Sequence, residues 1–247
     1  MSMTTDALVL KVNDTGESDR LVFLLTADYG VIGAFANRAK TSKSNMQAAT
    51  QSLCYGEFNI YSGKDAYTIN SASAKEVFFG LRQDIRLLAL AQYFCALAYE
   101  LIPEGEPAPD SLRIILNSLK LLENGRRSPD FLKTVTELKL LALAGFAPSL
   151  GGCGVCGKSP AGDVLFSAED GVFCCRGCSR KGRLITPGVL TAMKHIVYSP
   201  VDRVYSFALS EADLKMLCIT AESYLLHQTG KSFKTLDFYK SLQNEGD

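Results

Sequence analysis

The residues best equipped for chemistry are cysteines. Cys153 and Cys156 form one CxxC pair, Cys175 and Cys178 a second, and 18 residues separate the two. Four thiolates at this spacing suit a divalent ion of borderline softness, and two knuckles brought together by a hairpin close a tetrahedron around zinc. Such a site is structural, because no position is left for water. Decayed or unmetallated cysteines and an iron–sulfur centre are the competing readings. Glycines flank the pairs at Gly152, Gly154, Gly157 and Gly177, as tight knuckles require. In "GVFCCRGCSRKGR" Cys174 directly precedes Cys175, so a register through Cys174 is possible but leaves a less usual gap to Cys178; otherwise Cys174 packs as a small apolar side chain. Cys54, Cys95 and Cys218 sit in apolar stretches and read as core.

The same stretch is basic, through Arg176, Arg180, Lys181 and Arg183. Two readings stand. A zinc ion with four thiolates carries about two negative charges, which neighbouring cations stabilise; or the cations form a surface for nucleic-acid phosphates. "GCGVCGKS" from Gly152 also matches the phosphate-loop pattern letter for letter, but a phosphate loop needs a preceding strand and a helix opening at its Lys-Ser. Here an apolar helix precedes and Pro160 follows. Neither His195 nor His227 has a partner pattern for catalysis, and the sequence predicts a protein that is not an enzyme.

Charge balances overall, with 26 basic and 26 acidic residues, which removes the argument from a globally basic chain. The charge is nevertheless segregated. No acidic residue occurs from Tyr29 to Gly56, where Arg38, Lys40 and Lys43 cluster, or from Gly171 to Val201. The N-terminus lacks a signal-peptide pattern and no apolar run reaches the length of a membrane span, so a cytoplasmic protein is expected. Eight cysteines in a reducing compartment argue for metal rather than disulfides.

These motifs need elements to hold them. Over the first 80 residues "ALVLKV", "RLVFLLT", "VIGAFAN", "LCYGEFNIY" and "AYTINSA" read as five strands separated by turns, which suggests a small barrel. In the fourth, Cys54, Gly56, Phe58 and Ile60 share the buried face, and Tyr55, Glu57, Asn59 and Tyr61 the other. After Gly80 the period becomes helical, with a wide stripe through Leu81, Ile85, Leu88 and Gln92. Further helices are expected over "SLRIILNSLKLLENG", from Ser128 and Pro129 to Gly145, from Thr186 and Pro187, from Ser210 with Asp213 at capping-box spacing, and over "KTLDFYKSL". The expected fold is α+β: a barrel over 1–80, then an all-helical domain over 81–247 with a four-cysteine module inserted at about 149–183.

With these parts in order, "TGESDRLVFLLTADYGVIGAFANRAKTSKS" resembles the opening of the recombination mediator family RecO. "ELKLLALAGFAPSLGGCGVCG" with "FSAEDGVFCCRGC" resembles that family's passage into its zinc module, and the likeness runs from about residue 5 to 240. The resemblance implies an N-terminal OB-fold and a helical domain carrying a zinc module. It also implies binding of single- and double-stranded DNA, annealing of complementary strands, recognition of the acidic C-terminal tail of single-stranded DNA-binding protein, and, with RecR, loading of RecA onto coated strands. A zinc-ribbon protein binding RNA or a transcription partner is the alternative.

OB barrels hold strands with a positive groove and aromatic platforms. Arg38, Lys40 and Lys43 are the first candidates for phosphate contact, against a merely solvated loop. Tyr55 and Tyr61 are candidates for base stacking, against ordinary cross-strand packing. Arg20, which matches the family's Arg, either touches DNA or holds the Glu17–Asp19 turn. Lys133 and Lys139 are weak candidates for the basic rim of a groove that takes the partner tail.

Overall fold

The computed structural model describes residues 2–41, 46–64 and 66–244. Alternating apolar residues give five strands: β1 (Ser2–Thr15), β2 (Asp19–Thr26), β3 (Gly30–Ala36), β4 (Tyr55–Ser62) and β5 (Tyr67–Glu76), with a one-turn helix α1 (Met46–Ala49) between β3 and β4. They close as a barrel in the order β1-β2-β3-β5-β4, with β1 pairing on to β4. Only β3 and β5 pair in parallel, which is the OB-like arrangement. Val9, Val22, Leu24, Ile32, Phe58 and Ile60 fill the interior. Cys54 joins them, and Tyr55, Glu57, Asn59 and Tyr61 point outward, as the period of two requires.

At the β2–β3 turn Gly30 has φ +63°, and a Cβ there would lie 2.0 Å from the Pro103 carbonyl oxygen, so only glycine fits. That close approach holds the chain following the next long helix against the barrel, where the Gly105 N–H donates to the Tyr29 carbonyl.

Beyond the barrel the helices begin later than the apolar stripe suggests. Phe78 takes a left-handed conformation, a 3₁₀ turn spans Phe79–Gln83, and Asp84 caps α2 (Ile85–Leu101) by accepting from the Arg86 and Leu87 N–H groups. The buried face of α2 is accordingly Leu90, Tyr93, Phe94, Leu97 and Leu101, while Ile85 is 54% exposed and Leu88 and Gln92 lie at the margin. α3 (Pro109–Glu123) follows. Helices α2 and α3 cover part of the barrel's outer wall, which is why Leu8 and Leu25, a cross-strand pair on that wall, are buried.

Compactness divides the chain elsewhere than at the strand-to-helix change near Gly80. One unit holds the barrel, α2 and α3 up to Arg126 together with the segment from Phe233, so that α7 (Lys234–Asn244) returns to pack on α2. The other unit, Arg127–Ser232, holds α4 (Pro129–Leu143), the strands β6 (Val164–Ser167), β7 (Val172–Cys175) and β8 (Arg183–Ile185), then α5 (Pro187–Tyr198) and α6 (Glu211–Thr229). Ser128, Thr186 and Ser210 cap α4, α5 and α6 through their hydroxyls. Asp213 does not complete a reciprocal capping box; its carboxylate accepts the Thr186 hydroxyl at 2.8 Å and links the starts of α5 and α6.

Helix α4 is the centre of this second unit and packs against both α5 and α6. Its polar residues are therefore buried along with its apolar ones, which settles the two lysines proposed as a groove rim. Lys133 is 5% exposed, and its ammonium sits 2.8 Å from Glu137 and 2.9 Å from Glu222. Lys139 donates to the carbonyls of Val197 and Ser199. Both are interior struts and neither can line a surface groove. Burial pulls the Lys133 ammonium down, but the charges of Glu137 and Glu222 outweigh it and hold its pKa above the ordinary lysine value.

Candidate metal centre and nucleic-acid surfaces

Two knuckles build the metal centre. In the first, the Gly157 N–H, at φ +70°, donates to the Cys153 carbonyl, and a Cβ on Gly152 would meet the Gly157 oxygen at 2.4 Å. In the second, the N–H groups of Cys178 and Ser179 both donate to the Cys175 carbonyl. The antiparallel sheet β7-β6-β8 carries the second knuckle, and the Gly154 N–H, donating to the Phe173 carbonyl, ties the first one to it. The result is that the sulfurs of Cys153, Cys156, Cys175 and Cys178 all lie within 4.8 Å of one another. A tetrahedron with metal–sulfur bonds of about 2.3 Å has edges of about 3.8 Å, so the donor set fits such an ion with small side-chain adjustment. The cluster can hold a metal ion.

The electrostatics point the same way. Backbone N–H groups of Cys156, Cys175 and Val155 converge on the Cys153 sulfur and hold its pKa at about 6, whereas the hydrogen bond to Cys156, with burial, pushes the Cys178 thiol up to about 12. One thiolate forms readily, and further thiolates beside it are opposed until a cation arrives. Cys174, on the alternate face of β7, falls outside the four-sulfur group. Cys54 and Cys95 are buried; Cys218 lies between α6 and α4, taking the Thr134 hydroxyl hydrogen bond. The "GCGVCGKS" stretch is irregular, with no helix opening at Lys158, so it lacks the geometry of a phosphate loop. His195 is engaged by the Arg203 carbonyl and Ser199, and His227 by the Ser223 carbonyl.

Around the cysteine module Arg176, Arg180, Lys181 and Arg183 are all exposed, and among the described residues none pairs with a carboxylate. Lys181 and Arg183 border an open pocket of about 420 Å³ that Glu169, Asp170 and His227 also line. The two acids are near, but among the described residues none of the four cations closes an ion pair with them.

The barrel's basic loop differs. Arg20 and Lys40 both reach the carboxylate of Asp14, at 3.5 and 3.3 Å, and Arg20 also donates to the Gln47 carbonyl and the Thr50 hydroxyl. Arg20 therefore braces the segment around α1 rather than the Glu17–Asp19 turn. That turn is held by Asp19, which accepts the Arg38 N–H at 2.7 Å and the Ser18 hydroxyl; these bonds keep the Asp19 carboxyl below its ordinary pKa. Arg38 itself is exposed in a left-handed conformation with φ 54°. Lys43 lies outside the described residues. Tyr55 donates its hydroxyl to Asp6, which also pairs with Lys75, so that ring is occupied within the sheet. Tyr61 is 50% exposed. The residue pattern gave no notice of Asp14, whose role depends on two cations brought to it from later strands and loops.

Known proteins resemble this chain over most of its length. The model described as Recombination protein O N terminal matches residues 1–78, and that described as Recombination protein O C terminal matches 82–237. The chain is 35% identical over 243 residues to the DNA repair protein RecO of Acetivibrio thermocellus, covering 97% of each. It is 29% identical over 242 residues to the DNA repair protein RecO of Bacillus subtilis, covering 97% of this chain and 94% of that one. The namesake of Symbiobacterium thermophilum is 29% identical over 245 residues.

Proposed function

We propose that this chain, which belongs to the recombination protein O (RecO) family of DNA repair proteins, acts as a binding protein that anneals complementary DNA strands. It does so by contacts to phosphate, making and breaking no covalent bond. The observation that carries the reading is the set of four exposed cations, Arg176, Arg180, Lys181 and Arg183, left without acidic partners on a chain of zero net charge. Unpaired cations release counterions from DNA and bind it without regard to sequence. The barrel, with Arg38 and the stacking candidate Tyr61, offers a second surface of the kind single strands follow.

Two surfaces on one chain give annealing a physical basis. A strand held on each raises the effective concentration of one for the other, and cationic contacts offset the repulsion between their phosphates. Because each contact costs little to break, the finished duplex can be released as salt ions return. The ion at the four cysteines is zinc: thiolates select it, and a closed tetrahedron stabilises the β6–β8 sheet that presents the cations. Cys153, Cys156, Cys175 and Cys178 would hold it, and when bound it supplies charge neutralisation and cross-linking.

In this reading the protein is cytoplasmic, works on strands coated by single-stranded DNA-binding protein, engages that protein's acidic C-terminal tail, and with RecR helps load RecA. The tail's groove is to be sought away from the buried Lys133 and Lys139. The test is annealing of bare complementary oligonucleotides, with duplex formation followed by fluorescence and no nucleotide added. Acceleration that fades as salt is raised is expected; a rate equal to the spontaneous one at every salt concentration would overturn the reading.

A further inference from the structure

A fifth cysteine stands beside the metal centre, and a four-thiolate tetrahedron has no use for it. The sheet order β7-β6-β8 leaves one edge of β7 free of other strands of the sheet, and the Gly154 N–H, donating to the Phe173 carbonyl, lays the first knuckle along that edge. Side chains from both faces of a strand reach its edge, so Cys174 and Cys175, which point to opposite faces, both meet Cys153. The Cys175 N–H donates to the Cys153 sulfur at 3.3 Å. Cys174 approaches from the other side. A Cβ on Gly154 would lie 3.6 Å from its sulfur, and its thiol donates to the Cys153 sulfur.

The other thiols outside the ligand set lie elsewhere. Cys54 and Cys95 are buried in the first unit, and Cys218 sits against Thr134. Cys174 is therefore the free thiol that touches a ligand sulfur. It is half-buried and open to a small reagent, whereas Cys153 is 3% exposed.

We infer that Cys174 and Cys153 form an oxidisable pair, a modification site at which a peroxide opens the closed metal centre. The inference rests on the reading of the four cysteines as a zinc site. In the first step the Cys174 sulfur attacks the peroxide: an S–O bond forms, the O–O bond breaks, and the thiol proton leaves with the departing hydroxide as water. The Cys153 thiolate then attacks the Cys174 sulfur; the S–S bond forms, the S–O bond breaks, and hydroxide departs. The two sulfurs together lose two electrons, and the peroxide gains them. The ion is left with three of its four thiolate donors, a set that admits water and binds less tightly. Because Cys174 supplies the second sulfur, the other three ligands stay reduced, and a thiol reductant restores the original set. Oxidation is thereby coupled to the stability of the β6–β8 sheet.

In the test, the zinc-loaded full chain is treated with excess hydrogen peroxide beside a chromophoric chelator, then alkylated and mapped by peptide mass spectrometry. Release of about one equivalent of zinc is expected, together with a disulfide between Cys153 and Cys174 that dithiothreitol reverses. Cys174→Ser keeps all four ligands, so its zinc content before oxidation should match wild type while its release under peroxide slows at least about five-fold. Cys174→Ala is carried beside it, and the disulfide map of the wild-type chain needs neither variant. Release as fast from the variants as from wild type, or disulfides confined to the four ligands with Cys174 still alkylated, would overturn the pair. A wild-type chain that takes up no zinc would sink the metal reading instead, and the disulfide map of that metal-free chain then decides the pair by itself.

Discussion

Replacing Arg180 and Lys181 together by alanine is expected to change the salt dependence of DNA binding by a calculable amount. Both side chains are exposed and unpaired, so each phosphate contact they make is a net one, with no internal ion pair to break or restore. On single strands each such contact contributes about 0.7 to the slope of log K against log salt concentration. Losing two lowers the slope by about 1.4, and at 0.1 M salt that corresponds to about 25-fold in affinity, or about 1.9 kcal/mol. Lys40→Ala serves as the contrast. Lys40 already holds Asp14 at 3.3 Å in competition with Arg20, so exchanging carboxylate for phosphate gains less and the slope falls by well under 0.7. The assay is fluorescence anisotropy of a labelled oligonucleotide between about 50 and 300 mM salt. A double variant with the wild-type slope, beside a Lys40→Ala variant that loses most of it, would refute the argument from unpaired charge.

Two further expectations concern the second unit. Cys175→Ser removes one of four thiolates and is expected to release close to one equivalent of zinc to a chromophoric chelator and to lower the unfolding midpoint; full metal content with unchanged stability would show the ligand set to be wrong. Lys133→Ala leaves Glu137, fully buried, and Glu222 without their cation, at a cost of about 3–5 kcal/mol, measured by denaturant unfolding followed by circular dichroism; a loss below about 1 kcal/mol would contradict the buried network. Because the folded pKa of Lys133 is raised above the ordinary lysine value of 10.5, its contribution is fully present below that pH. The part of the stability that depends on the Lys133 charge should therefore be flat across neutral pH and fall in strong alkali.

The barrel was legible because its interior alternates with period two, and one strand, β4, displayed both faces in its letters. The metal cluster was legible because CxxC spacing is local and the hairpin that joins the pairs needs only short strands. What the letters hid was environment. Lys133 and Lys139 lie on a helix whose polar spacing resembles a solvated face, yet α5 and α6 enclose it, and nothing within α4 itself announces two neighbours. The start of α2 was misplaced because Leu81 continues the apolar stripe, while the left-handed Phe78 and the capping Asp84 break the helix there.

Annealing of two complementary strands, each first coated with single-stranded DNA-binding protein, tests the central claim most directly, read by fluorescence across a salt series without nucleotide. The account predicts acceleration by the wild-type chain that declines with salt and is reduced in the Arg180→Ala, Lys181→Ala double variant. A folded, zinc-loaded protein that binds both strands and still leaves the coated strands unannealed at every salt concentration would contradict it.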